Sequence, residues 1–166
     1  CLELVTEAVA GGHRILLFSQ FTSMLELLAK RLDEAGVSHF TLQGSTPKPV
    51  RAEQVRRFNQ GEADVFLISL RAGGTGLNLT AADIVIHYDP WWNLAAQNQA
   101  TDRAYRIGQR NPVQVYRLIA QDTIEEKIVE LQQAKQSLAE TVTGGADGAI
   151  LSMNPEQLLQ LLGEEA

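Results

Sequence analysis

The chain reads as an α/β domain, a mostly parallel sheet with helices on both faces. Three observations predict this. Short apolar runs suited to doubly buried strands (Arg14–Ser19, Asp64–Ser69, Asp83–Tyr88) alternate with stretches whose apolar residues fall at helical spacing. Glycine or proline stands at most of the junctions. A length of 166 residues, 45% of them hydrophobic, suffices for one domain with a buried core.

The elements follow in order. Residues 2–10 read as a helix stopped by Gly11-Gly12. The first strand is Arg14–Ser19. A helix over Thr22–Ala35 carries Met24, Leu25, Leu28 and Leu32 on one stripe, and Gly36 ends it. His39–Leu42 is a second strand. Gly44–Pro49 is a loop, with Thr46 as N-cap before Pro47 and a helix over Val50–Gln60. Asp64–Ser69 and Asp83–Tyr88 are the next strands, Ala95–Ile107 a helix, and Val113–Ile119 a fifth strand after Asn111-Pro112. Thr123-Ile-Glu-Glu126 is a capping box. Behind it Ile124, Ile128, Leu131, Leu138 and Val142 form one helical stripe. Gly144–Gly148 is a linker, and Asn154-Pro155 opens a short leucine-rich helix. The expected division is a sheet domain over 1–121, a closing helix over 122–143 and a linker with a last helix over 144–166.

No apolar run approaches the ~20 residues of a membrane span, so no membrane partner is expected. The start carries no basic stretch before an apolar one, as a signal peptide would, and reads like the middle of a longer protein. The single cysteine, Cys1, excludes an internal disulfide and fits a reducing compartment. Net charge is −6, unpromising for nucleic acid, but its distribution is uneven. Residues 121–166 hold two basic and nine acidic residues (−7), leaving +1 for residues 1–120. Arg103, Arg106, Arg110 and Arg117 face only Asp102 between Gln97 and Ala120, a local basic patch.

The chemistry concentrates between Ser69 and Arg110. Gly73, Gly74 and Gly76 allow a tight turn whose amides can meet an anion. Arg103 and Arg106, three apart, share one face of a helix and suit a phosphate. Ser19, Gln20, Ser45, Thr46, Arg71 and Asn78 are small polar or basic groups near strand ends, of the kind that hold phosphates without reading bases. His13, His39 and His87 lack metal-site spacing. His87, at the end of an apolar run, reads as a core histidine.

The same stretch resembles the second lobe of the Swi/Snf-type, DNA-translocating ATPases of helicase superfamily two. The resemblance rests on the turn Arg71–Asn78, the pair in Asp89-Pro90-Trp91-Trp92-Asn93, and QATDRAYRIGQ at Gln99–Gln109. It extends to Ile15–Phe21, to Gly44-Ser-Thr46 with Arg51 and Arg56–Asn59, and to Tyr116–Ile119 with Thr123–Ile128. It covers roughly residues 1–140. Leu94 stands where the family has proline, and Asp122 where it often has glycine.

The resemblance implies a RecA-like lobe. Arg103 and Arg106 would be arginine fingers reaching the terminal phosphates of ATP held by another lobe. Gly74, Thr75, Gly76, Gln99 and Asp102 would line the nucleotide cleft. Ser19, Gln20, Ser45, Thr46, Arg71 and Asn78 would touch DNA phosphates. No GxxxxGK[ST] loop or DExH-type acid is present, so ATP and Mg²⁺ are expected mainly on an N-terminal lobe, and the fragment alone is expected to be inactive. Expected partners are double-stranded DNA, contacted without sequence preference, that N-terminal RecA-like lobe, and a DNA-bound protein such as RNA polymerase. The expected location is the cytoplasm or nucleoid of a bacterium, or a nucleus. One alternative is a non-catalytic RecA-like module that docks DNA or protein, against which the retained arginines speak. Another is a self-contained nucleotide-binding enzyme, against which the missing phosphate loop speaks. One tryptophan of the pair is expected in the core and one at a lobe or helix contact.

Overall fold

The sheet is built outward from β1 (Ile15–Ser19), whose five residues are all buried. In this computed structural model, which describes residues 1–70, 72, 77–91, 98, 102 and 112–143 (backbone alone for 135–143), β1 pairs in parallel with β3 (Val65–Ser69) on one side and β4 (Ile84–His87) on the other. β2 (His39–Leu42) lies outside β3, and β5 (Gln114–Arg117) outside β4. The five-stranded order is β2-β3-β1-β4-β5, every pair parallel. Helices α1 (Leu2–Ala10), α2 (Thr22–Glu34) and α3 (Lys48–Asn59) precede β1, β2 and β3, and α4 (Ile124–Thr143) follows β5.

Strand alternation divides the core in two. Ile15, Leu17, Val65, Leu67, Ile84 and Ile86 pack with Val5 of α1 and with Leu25, Leu28 and Leu32 of α2. The intervening Leu16, Phe18, Phe66, Ile68 and Val85 pack on the opposite face with Leu42, Phe58 of α3, Leu77 and Leu79. A strand buried on both faces has no polar alternation, which is why the runs are continuously apolar. Each such side chain stabilises the fold by roughly 1.5–3 kcal/mol.

For the elements among the described residues the expected boundaries hold within a residue or two, with one correction at α3. Thr46 does not cap it: the helix starts at Lys48 behind Pro47, with no side-chain cap. The Thr46 hydroxyl oxygen instead accepts from the Gln43 peptide N–H at 3.0 Å and closes the loop after β2. Pro47 occupies the N-cap position and Pro49 lies in the first turn, where its missing N–H costs nothing, so threonine is left for the turn.

At α4 the expected capping pattern forms with a shift. The Thr123 hydroxyl accepts from Glu125 N–H (3.2 Å), while Glu126 reaches back to the amide of Asp122 rather than to that of Thr123 (3.1 Å). Asp122 itself has φ 59°, the left-handed region. Glycine adopts that conformation without strain, which explains the glycine of the related motif.

The opposite, amino edge of the sheet is tied by carboxylates. Asp83, before β4, accepts from Arg14 N–H (3.0 Å) and pairs with His13 (2.8 Å), just before β1. Asp64, before β3, accepts from the Ser38 hydroxyl at 2.5 Å.

By contacts the chain divides into Cys1–Ile128 and Val129–Ala166, within α4. The helix expected over 95–107 is described only at Asn98 and Asp102. The linker and last helix expected beyond 143 lie outside the described residues. Among the described residues no helix is long and apolar enough to cross a membrane.

Candidate functional site

In parallel sheets ligands gather at the carboxyl ends of the strands, where loops from neighbouring strands diverge. Here the ladders run one residue past the strands. Leu70 N–H donates to Ser19 O (3.0 Å) and Tyr88 N–H to Phe18 O (2.9 Å), so the loops after β3 and β4 start in register beside the loop after β1.

Asp89 links two of them. It is 4% exposed. Its Oδ2 accepts from the Ser19 hydroxyl at 2.5 Å, and its Oδ1 from Gln20 N–H at 3.0 Å. Burial pushes this carboxyl above the usual carboxylate range, and the bonds from Ser19 and Gln20 oppose the rise. Gln20 Nε2 adds a bond to Pro90 O (3.4 Å), and Phe21 N–H donates to Ser19 Oγ (3.1 Å). The loops after β1 and β4 are thus one hydrogen-bonded unit.

Above this unit opens a cavity of about 370 Å³ lined by Gln20, Phe21, Thr22, Ser23, Ser69 and Trp91. One wall is the amino end of α2. Phe21 is its N-cap and supplies no side-chain bond. The first peptide N–H groups of a helix have no intrahelical partner and carry partial positive charge. Phe21, 56% exposed, forms the rim. Trp91 is half-buried against the core, consistent with a core role for one tryptophan; Trp92 lies outside the described residues.

His87, at the end of β4, stacks on Phe18 with centroids 5.7 Å apart and planes 22° apart. Burial holds its pKa down to about 4, and the Arg117 charge adds to the depression. It is a neutral core histidine at neutral pH. Among the described residues no group of three or more His, Cys, Asp or Glu could hold a metal ion.

The sequence-predicted residues fall into three groups. Ser19 and Gln20 come together at the cavity, but Ser19 is fully buried with its hydroxyl given to Asp89. It shapes the loop and does not present a surface hydroxyl. Ser45 is exposed and Thr46 half-buried in the loop after the outer strand β2. Asn78 is exposed, and its carbonyl accepts from Asn59 Nδ2 (2.8 Å). Asp102 is exposed, its N–H bonded to Asn98 O (2.9 Å) in one helical turn. Arg71, Gly74, Thr75, Gly76, Gln99, Arg103 and Arg106 lie outside the described residues. Sequence reasoning missed Asp89 and Ser69. An acid directly after a buried apolar run, at a carboxyl strand end, was the available signal for Asp89.

This parallel sheet order, with helices packed on it and a cavity at the carboxyl edge of β1, β3 and β4, is that of a lobe of the RecA-like class. Residues 1–108 match the helicase conserved C-terminal domain, and the chain belongs to that family. It is 42% identical over 161 residues to an uncharacterized ATP-dependent helicase of Mycoplasma pneumoniae, covering 96% of this chain and 16% of that protein. It is 47% identical over 150 residues to the chromatin-remodeling ATPase INO80 of Aspergillus terreus, covering 89% and 9%. The crystal structure of the C-terminal part of the Fun30 ATPase domain superposes with a TM-score of 0.75 at 36% identity, covering 78% of this chain and 43% of that one. The lobe is therefore of the Swi/Snf type, and the chain spans a small fraction of the length of the relatives it matches.

Proposed function

We propose that the chain is the second motor lobe of an ATP-driven translocase on double-stranded DNA. The observation that carries this reading is the carboxyl-edge site: a polar cavity walled by Gln20, Ser69 and the open amino end of α2, in a lobe of the helicase C-terminal family. Helix amino ends and small polar groups suit a phosphate. Gln20 and the α2 amides would hold the backbone of one DNA strand, with Ser45, Thr46, Arg71 and Asn78 extending the track and Ser19 fixing the loop. Phosphate contact of this kind ignores base sequence, as a motor requires.

ATP and Mg²⁺ would sit mainly on an N-terminal lobe of the same protein. Gly74, Thr75, Gly76, Gln99 and Asp102 would close the cleft from this side. Arg103 and Arg106 would meet the charge that develops on the transferred phosphoryl. Lobe closure around ATP would advance the protein on DNA, and a DNA-bound protein such as RNA polymerase would be what it displaces.

The test is DNA-stimulated ATP turnover of the parent protein. Arg103→Ala or Arg106→Ala should cut it by roughly 10³-fold or more, with DNA affinity nearly unchanged. Lysine should rescue poorly, because a point charge replaces a planar fork. Near-normal turnover in both variants would refute the assignment, as would a loss matched by a lowered melting temperature. The 166-residue chain alone should bind duplex weakly, with strong salt dependence, and hydrolyse no ATP.

A further inference from the structure

Phe21 stands where neither the helix nor the core asks for a phenyl ring. It is the N-cap of α2, with an extended backbone (φ −101°, ψ 116°) and no side-chain bond to the first turn. That position favours serine, threonine, aspartate or asparagine, whose oxygens satisfy a free helix amide. The ring is 56% exposed, so it contributes little to the core. A single exposed apolar side chain is ordinary on a surface, but this one is held rigidly at the mouth of a cavity. Its N–H donates to Ser19 Oγ at 3.1 Å, and its carbonyl accepts from Leu25 N–H at 3.3 Å. The residue before it is fixed through the bond from Gln20 N–H to Asp89.

The cavity behind the ring is mixed in character. Gln20, Thr22 and Ser23 bring polar side chains, and Trp91 a second aromatic one. Ser69 lines it although only 2% exposed. The Ser69 oxygen accepts from Ala72 N–H at 3.3 Å, and among the described residues its own hydroxyl proton meets no acceptor. A buried donor of this kind suits an acceptor supplied from the cavity. A nucleic-acid strand presents anionic oxygens and apolar sugar faces in alternation. Polar groups beside a fixed exposed ring match that alternation, whereas an isolated phosphate would leave the ring without a role. A duplex keeps its bases stacked inside, so the sugar is the surface such a ring can meet.

We propose that Phe21 packs against the sugar beside the held phosphate and makes this site prefer a DNA strand to an RNA strand. The inference rests on the reading of the cavity as the grip on one DNA strand. A deoxyribose meets the ring with carbon and hydrogen alone. A ribose presses its 2′-hydroxyl against the ring, and a polar group buried without a partner is penalised. Gln20 and the α2 amides cannot make that distinction, because phosphate is common to both strands.

The experiment measures equilibrium binding of the parent protein to duplex DNA and to duplex RNA of the same sequence, together with its melting temperature. Phe21→Ser should weaken DNA binding about tenfold, equivalent to about 1.4 kcal/mol. RNA binding should weaken only about twofold, so the preference for DNA shrinks about fivefold. Comparing variant with wild type removes the part of the preference that comes from the A-form shape of RNA, which both proteins face alike. Serine is a favoured N-cap, so the melting temperature should not fall. Lost binding without lost stability separates a ligand contact from a packing role. Phe21→Tyr keeps the ring and should keep affinity and preference within about twofold. The proposal is overturned if Phe21→Ser binds duplex DNA within twofold of wild type, or loses DNA and RNA affinity equally. It is also overturned if the loss follows a lowered melting temperature. Gln20→Ala tests the reading beneath it and should weaken DNA and RNA alike. Unchanged affinity there would remove the cavity from the DNA track, whereas weakened affinity with an inert Phe21 would remove the sugar contact alone.

Discussion

His87 should make the lobe acid-sensitive in a defined window. In the unfolded chain a histidine titrates near 6.5, whereas in the fold burial holds His87 down to about 4. Between these values the unfolded state binds the extra proton, so stability rises with pH. The contribution is fully present above about 6.5 and is lost as pH falls towards 4. The gap of about 2.5 units, at 1.36 kcal/mol per unit, amounts to about 3 kcal/mol. Asp89 slopes the other way. Its folded pKa is raised by burial, so the folded state holds its proton longer and loses stability as pH rises past the ordinary carboxylate range. Comparison with His87→Phe, which keeps an aromatic ring against Phe18, cancels the Asp89 contribution. Urea unfolding of the chain from pH 7.5 to 4.5, followed by tryptophan fluorescence, should show the wild type losing most of these 3 kcal/mol relative to the variant. The His87 ring resonance should titrate far below 6.5. A pH-independent difference between the two proteins, or a His87 midpoint near 6.5, would refute the reasoning.

Substitutions at two further positions, Asp89 and Gly61, test other points of the fold. Asp89→Ala leaves the Ser19 hydroxyl and Gln20 N–H without their acceptor at roughly 1–3 kcal/mol each. A loss of about 3 kcal/mol is expected in urea unfolding, against about 1 for Asp89→Asn; equal losses would contradict the linkage. Gly61→Ala should cost about 1–2 kcal/mol, or roughly 2–8 °C in melting temperature. Gly61 has φ 88° and a methyl there would collide with the Arg14 guanidinium. Adding Arg14→Ala should relieve only the collision.

The three central strands were legible because a strand buried on both faces is continuously apolar. Ile15–Ser19, Val65–Ser69 and Ile84–His87 announce themselves as unbroken apolar runs. Their lateral order was not legible, since hydrophobic periodicity says which way a side chain faces and nothing about which strand lies beside it. The same blindness hid the site's internal chemistry. Ser19 and Asp89 are 70 residues apart, and Asn59 reaches Ala81 across 22; each was visible as a residue type and none as a pair. Ser19 accordingly read as a hydroxyl offered to phosphate when it is given to Asp89. Thr46 misled for a local reason: two turn-closing roles compete for one hydroxyl, and proline removed the need for the first. At Asp122 the related motif's glycine was noted without its meaning, and only the φ of 59° showed that the position is left-handed.

The carboxylates at the amino edge bear on mechanics. Asp83 and Asp64 fasten the starts of β4 and β3 to Arg14 and Ser38, beside the starts of β1 and β2. A tug applied at the carboxyl edge and resisted at this tethered end runs lengthwise along parallel strands. Five register positions couple β1 to β3 and four couple it to β4. Where one strand is pulled lengthwise against a held neighbour, these bonds share the load instead of opening one after another. The strand directions thus make the domain stiff along the axis on which its loops would be dragged, and the stiffness comes from the arrangement of ordinary peptide bonds.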